Sequence, residues 1–139
     1  MIVDAEELQE KYVHLNEQSG PVFKIKNDPR LTKIGKIMRK YSIDELPQLF
    51  NILLGSMTLI GPRPLPVSDV KEFNEDFLHR RHSMKPGVTG LWQVEGRNKI
   101  KDFNKWVTLD LEYIDNWSFL LDFKIAVKTV STVLSGTGI

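Results

Sequence analysis

Ser42-Ile43-Asp44-Glu45-Leu46-Pro47-Gln48-Leu49-Phe50-Asn51-Ile52-Leu53-Leu54-Gly55-Ser56-Met57-Thr58-Leu59-Ile60 is the stretch on which the fold turns. Leu46, Leu49, Phe50, Leu53 and Leu54 recur at spacings of three and four, so they share one face of a helix, and Gly55 is a natural stop. That face is expected to point into the core. Residues 57–60 then read as a short strand. Ser42 with Glu45 fits a capping box, which would begin the helix at Ile43, but Pro47 would then lack a needed N–H and clash with an earlier carbonyl. With Asp44 as N-cap, Pro47 falls in the first turn and both carboxylates sit at the positive end of the helix.

Upstream, Leu31, Ile34, Met38 and Tyr41 form one stripe of a second helix, with Lys33, Lys36, Arg39 and Lys40 largely off it. Before it, residues 22–26 alternate like a strand, and Asn27-Asp28-Pro29 turns the chain. Asp4 with Glu7 resembles a capping box, and Leu8, Tyr12 and Leu15 recur at helical spacing, which predicts a helix over 5–18 that Gly20 and Pro21 end. Downstream, Gly61-Pro62-Arg63-Pro64 makes a stiff corner before a helix carrying Val70, Phe73 and Phe77. The run His79-Arg80-Arg81-His82 reads as a solvated face. Residues 91–94 look extended, and helices are expected over 102–113 and 118–134, the last apolar enough to be largely buried. Trp92, Trp106 and Trp117 are expected in the core. The pattern predicts a single α+β domain, mainly helical, with a few short strands or a hairpin.

Composition narrows the function. The chain has 139 residues, enough for one domain with a real core. Its 19 Lys and Arg nearly balance 18 Asp and Glu, a formal net charge of +1, so no whole-molecule field points to nucleic acid. There is no cysteine, hence no disulfide, thiolate metal site or cysteine nucleophile. No apolar stretch approaches the roughly 20 residues that cross a bilayer as a helix.

Asp44 and Glu45 by themselves are better explained by a helix start than by chemistry. Their neighbours favour chemistry: Arg39 lies shortly before them, and Arg63 sits on a corner held by two prolines. Carboxylates with two arginines suggest a phosphate and metal site. An ionised aspartate can attack phosphorus to give an acyl phosphate if cations neutralise the charge on the phosphate as it approaches. A non-catalytic module is the other reading, with residues 33–40 and 79–81 holding RNA or anionic lipid. The near-zero net charge and scattered aromatics weigh against RNA.

Asp28-Pro29-Arg30, Arg39, residues 42–49, Asn51, Gly61-Pro62-Arg63-Pro64 and Lys85-Pro86-Gly87-Val88-Thr89-Gly90-Leu91-Trp92-Gln93-Val94 closely resemble the bacterial sugar transferase family, the monotopic polyprenyl-phosphate hexose-1-phosphate transferases. The likeness runs from Met1 to about Gly136. It implies that Asp44 takes up the sugar phosphate of a UDP-hexose with release of UMP. Glu45, with Asp44, would help hold Mg²⁺ or Mn²⁺ on the diphosphate, and Arg39 and Arg63 would bind phosphate. It further implies a ping-pong course ending on undecaprenyl phosphate, at the cytoplasmic face of the bacterial inner membrane, as the first step of exopolysaccharide or other surface glycan assembly. Self-association is compatible with it. Arg97, Asn98 and Asp110 also match family motifs, whether they bind nucleotide, support the site or pack. The family usually has an acid where this chain has Ser56. Members also carry a membrane-inserted hairpin and a basic, aromatic stretch that ends where Met1 stands, so residues 1–139 are expected to be a catalytic domain lacking that N-terminal segment.

Overall fold

The computed structural model describes residues 1–71, 79–96 and 100–136. Two parallel strands join the halves of the chain: β1 (Thr58–Ile60) and β2 (Gly87–Thr89), with Thr58 opposite Gly87 and Ile60 opposite Thr89. Glycines set how closely they meet. A Cβ on Gly87 would lie 2.1 Å from the Gly61 nitrogen, one on Gly90 2.5 Å from the Gly61 carbonyl oxygen, and one on Gly61 2.7 Å from the Lys85 carbonyl oxygen. None of these glycines has a positive φ, so each is needed for lack of bulk and not for backbone freedom.

Six helices surround this contact among the described residues: α1 (Lys33–Lys40), α2 (Gln48–Leu53), α3 (Val67–Lys71), α4 (Leu91–Gly96), α5 (Phe103–Asp115) and α6 (Phe119–Leu134). Three start on side-chain caps, two of them at the residues expected, Asp102 and Ser118. The side chains of Thr32, Asp102 and Ser118 accept hydrogen bonds from the backbone N–H groups of Gly35, Asn104 and Leu121. The core has two centres. Trp92, Phe103, Trp106 and Val107 form one, and Leu91, Tyr113 and Ile125 the other. Through Ile125, α6 lies against α4 and both strands. The mainly helical α+β class is borne out.

Several expectations change. Residues 5–18 do not form one helix: turns lead into a 3₁₀ helix, Glu10–Leu15, with no buried residue. Asp4 has φ 59°, whereas an N-cap needs extended backbone. Residues 22–26 form no strand: 22–25 have no regular secondary structure and Lys26 lies in a turn. Residues 91–94 are helical and not extended. Leu91, Trp92 and Gln93 are all buried, and a segment buried on every side loses the periodicity that separates helix from strand. Only Val70 of the helix expected after the proline corner lies in α3, because Phe73 and Phe77 fall outside the described residues.

The apolar stripes differ most. Phe50, Leu53 and Leu54 of the α2 face are 70%, 83% and 81% exposed, and Ile34 and Ile37 of α1 are also exposed. Within α6 only Ile125 is fully buried, while Phe119, Leu120, Phe123, Val127, Val130 and Leu134 face outward. Spacing gives the shared face of a helix but not its direction. Trp92 and Trp106 are in the core as expected, but Trp117 is 46% exposed, its indole N–H donating to Asp122 Oδ2 at 3.2 Å. Arg81, expected in solvent, is buried.

Candidate active site

A proline that cannot sit inside a helix shapes the loop carrying the two carboxylates. Pro47 is the N-cap of α2, so Asp44 and Glu45 precede that helix. They lie in a separate 3₁₀ turn, Ile43–Glu45, and Asp44 is not an N-cap. Ser42 reverses the chain between α1 and this turn with φ 54°, a left-handed conformation that costs a non-glycine residue on the order of 1 kcal/mol. Strain of this kind beside a carboxylate pair marks a place where position outweighs stability.

Reversal brings the pair back against the last turn of α1, and Arg39, Asp44, Glu45 and Arg63 line one polar pocket of about 180 Å³. Glu45 is only 9% exposed, and Arg63 Nη1 donates to its Oε1 at 2.8 Å. Asp44 is exposed on the rim and Arg39 is half-buried. All four residues expected to act together thus line one cavity. Val22, Phe23, Arg30 and Trp106 line both this pocket and a wider groove of about 870 Å³, as do Arg39 and Arg63.

Arg63 is held from behind. The Gly87 N–H donates to the Pro62 carbonyl at 2.9 Å, and Arg81 Nη2 donates to the Arg63 carbonyl at 2.7 Å. The same Arg81 nitrogen donates to Asp110 Oδ2 at 2.6 Å, and both side chains are almost fully buried. Burial pushes the Asp110 carboxyl up to about 6, with the Arg81 charge opposing the rise. Asp110 does not line the pocket but supports its Arg63 corner through Arg81. Arg97 and Asn98 lie outside the described residues.

Also lining the polar pocket, Arg30 grips Asp28 with Nε on Oδ1 at 2.9 Å and Nη2 on Oδ2 at 2.7 Å, and reaches the Ala5 carbonyl at 3.1 Å. Arg30 holds the Asp28 carboxyl below the usual range, chiefly by hydrogen bonding, and Arg39 adds to the effect. Asp28 and Arg30 carried no assigned site role in the sequence, and Arg81 was read only as part of a solvated or anion-holding run. Asp28 and Arg30 are two residues apart and were open to inspection, whereas Arg81 and Asp110 are 29 apart and no local pattern links them.

Among the described residues no group of three or more His, Cys, Asp and Glu side chains forms a metal cage. Asp44 and Glu45 offer two adjacent carboxylates. That donor set suits Mg²⁺ where phosphate oxygens and water complete the coordination, and Glu45 is already shared with Arg63. Asp44 is the more exposed of the two carboxylates.

The sequence model of the bacterial sugar transferases matches residues 1–136. The chain belongs to this family. It is 50% identical over 138 residues to the galactosyl transferase CpsE of Streptococcus agalactiae, covering 99% of this chain and 30% of that protein. It is 47% identical over 116 residues to the undecaprenyl-phosphate galactose phosphotransferase of Salmonella typhimurium, covering 84% and 24%. It is 44% identical over 111 residues to the UDP-glucose:undecaprenyl-phosphate glucose-1-phosphate transferase of Klebsiella pneumoniae, covering 76% and 24%. The chain therefore spans less than a third of each of these relatives. No helix among the described residues is long and apolar enough to cross a membrane.

Proposed function

We propose that this chain is the catalytic domain of a transferase that moves a hexose-1-phosphate from a UDP-hexose to undecaprenyl phosphate at the cytoplasmic face of the bacterial inner membrane. The observation that carries the reading is the convergence of Arg39, Asp44, Glu45 and Arg63 on one pocket. In the first step an Asp44 carboxylate oxygen attacks the phosphorus that bears the sugar. The phosphoanhydride bond breaks, its electron pair leaves with UMP, and a sugar-phosphoryl aspartate remains. In the second step a phosphate oxygen of the lipid attacks the same phosphorus, the bond to Asp44 breaks, and a lipid-linked sugar diphosphate departs. Arg39 and Arg63 steady the negative charge that gathers on the phosphoryl oxygens. Glu45 fixes the Arg63 fork through their 2.8 Å bond. Mg²⁺ bound through Asp44, Glu45 and the donor diphosphate would supply further charge neutralisation. A non-catalytic module holding RNA or lipid leaves the four-residue convergence without a purpose.

The relatives differ in the hexose their names carry, galactose in two and glucose in one. The donor sugar in this reading is therefore a hexose. The test is mass spectrometry on the membrane-anchored protein carrying this chain, quenched after mixing with UDP-galactose or UDP-glucose and no acceptor. A sugar-phosphate adduct is expected on the Asp44 peptide. Asp44→Asn should lose the adduct and at least about 10⁴-fold of turnover. An adduct on Glu45 instead, or brisk turnover by Asp44→Asn, would overturn the assignment.

A further inference from the structure

A second cavity, of about 220 Å³, lies beside the polar pocket, and Glu45 lines both. Its walls are otherwise unlike those of the first. Ile43, Leu46 and Leu49 line it from the carboxylate turn and the start of α2, Val88 and Val94 from β2 and α4, and Val133 from α6. Arginine and lysine are absent from its lining. Most of its polar side chains are engaged within the protein. Thr89 and Thr129 share a hydrogen bond at 2.8 Å, Gln93 Nε2 donates to the Val88 carbonyl at 3.1 Å, and Thr132 Oγ1 donates to the Lys128 carbonyl at 2.9 Å. The Gln93 Oε1 is a buried acceptor there without a protein partner.

We infer that this recess holds the isoprene units next to the phosphate of the lipid acceptor, while that phosphate reaches past Glu45 to the arginines. The inference rests on the proposed function for the identity of its occupant and on geometry for its place. A cavity of ~150 Å³ lined by aliphatic side chains admits a benzene ring, so about 220 Å³ has room for roughly two five-carbon units. A nucleoside needs several hydrogen-bonding partners and more space than this recess offers. An acceptor that is apolar at one end and phosphate at the other needs an apolar site and a cationic site in contact, and the two cavities meet at Glu45. The rim residues Tyr41, Ile43, Leu46 and Leu49 are exposed, and α2 continues the apolar surface through Phe50, Leu53 and Leu54. That surface gives the remainder of a long chain a path away from the site.

The test uses farnesyl phosphate, a short water-soluble isoprenyl phosphate, with the membrane-anchored protein carrying this chain. A photoreactive diazirine near the phosphate end should label peptides containing Leu49 and Val133. Val133→Phe fills the recess from its α6 side and changes none of the four pocket residues, of which only Glu45 borders the recess. It should weaken farnesyl phosphate binding at least about tenfold while exchange of labelled UMP into UDP-hexose, which needs no acceptor, stays at the native rate. Label on the outer face of α6 at Phe119 and Phe123, or native affinity in Val133→Phe, would overturn the inference. Should the native protein show no UMP exchange yet still label within the recess, the proposed function falls and the isoprenyl phosphate site stands.

Discussion

Gly87→Ala isolates what the glycine contact between β1 and β2 contributes to both fold and site. The added Cβ would lie 2.1 Å from the Gly61 nitrogen, 2.6 Å from the Ile60 carbonyl carbon and 2.7 Å from the Gly61 Cα, all backbone atoms that cannot rotate away. Ordinary contacts between such atoms begin near ~3.5 Å, so the strands must part by about 1 Å. Parting stretches Gly61 N–H to Thr89 O at 2.9 Å, Thr58 N–H to Pro86 O at 2.8 Å and Gly87 N–H to Pro62 O at 2.9 Å. An extra ångström takes each beyond hydrogen-bonding range. Leaving two or three such groups unpaired costs about 1–3 kcal/mol each, and partial relaxation brings the expected loss to about 3–5 kcal/mol. For a chain of this length 1 kcal/mol corresponds to about 3–5 °C in melting temperature, so a fall of about 10–20 °C is expected.

A second glycine provides the control. Gly55 has φ +77° and nothing within 4 Å of its would-be Cβ. Gly55→Ala should cost only the left-handed backbone penalty, about 1 kcal/mol, and Gly55→Asn should recover part of it because asparagine tolerates that conformation. Gly87→Asn should be worse than Gly87→Ala. Thermal unfolding followed by circular dichroism measures all four variants. A Gly87→Ala melting point within about 3 °C of the native protein, or above that of Gly55→Ala, would refute the packing argument. Residual turnover should also fall by about 10²-fold, since the same displacement carries Arg63 away from Glu45 and a 1 Å misplacement costs about that much.

Two further predictions concern the charges around the pocket. Arg63→Lys keeps a positive charge but not the planar fork, so turnover should fall by about tenfold or more while the melting point moves by less than about 5 °C; a sharp melting loss with persistent turnover would make Arg63 structural. Asp110 is held protonated up to about pH 6 in the folded chain against ~4 unfolded, so the folded state binds the extra proton between those values. Its contribution to stability is therefore greatest below about pH 4 and declines by up to about 3 kcal/mol as pH rises through 6. Urea unfolding from pH 4.5 to 7.5 should show this decline in the native protein and a flatter profile in Asp110→Asn, and identical slopes would contradict it.

The sequence was readable wherever the deciding interaction is short. Asp102 and Ser118 cap their helices through N–H groups two or three residues on, and both starts can be placed from local residue types. Gly55 ends α2 because only a left-handed residue fits there, and that too is a local demand. Residues 91–94 failed for the opposite reason. Their environment is supplied by α5 and α6, and burial on all sides removes the alternation that separates helix from strand. The two short strands were half legible. Thr58–Ile60 has apolar and branched residues, but Gly87–Thr89 is a strand because Gly61 approaches it, which no local propensity encodes.

The same distinction governs the site. Asp44, Glu45, Arg39 and Arg63 could be picked out because each stands in a recognisable local setting, and the structure puts all four on one pocket. What holds them there runs across long separations: Arg63 to Glu45 over 18 residues, Arg81 to the Arg63 carbonyl over 18, and Arg81 to Asp110 over 29. Arg81 sits in a run of four charged or titratable residues and looks solvated, yet its charge is desolvated and matched by Asp110. A buried pair of that kind contributes little net stability by itself, but removing one partner strands the other at a cost of about 3–5 kcal/mol. Its value here lies in direction. One guanidinium nitrogen ties Asp110 on α5 to the backbone of the proline corner, so the Arg63 side chain leaves that corner already aimed at Glu45. The candidate residues can be picked out from residue types along the chain, whereas the aim of Arg63 is set by a residue that no spacing rule would select.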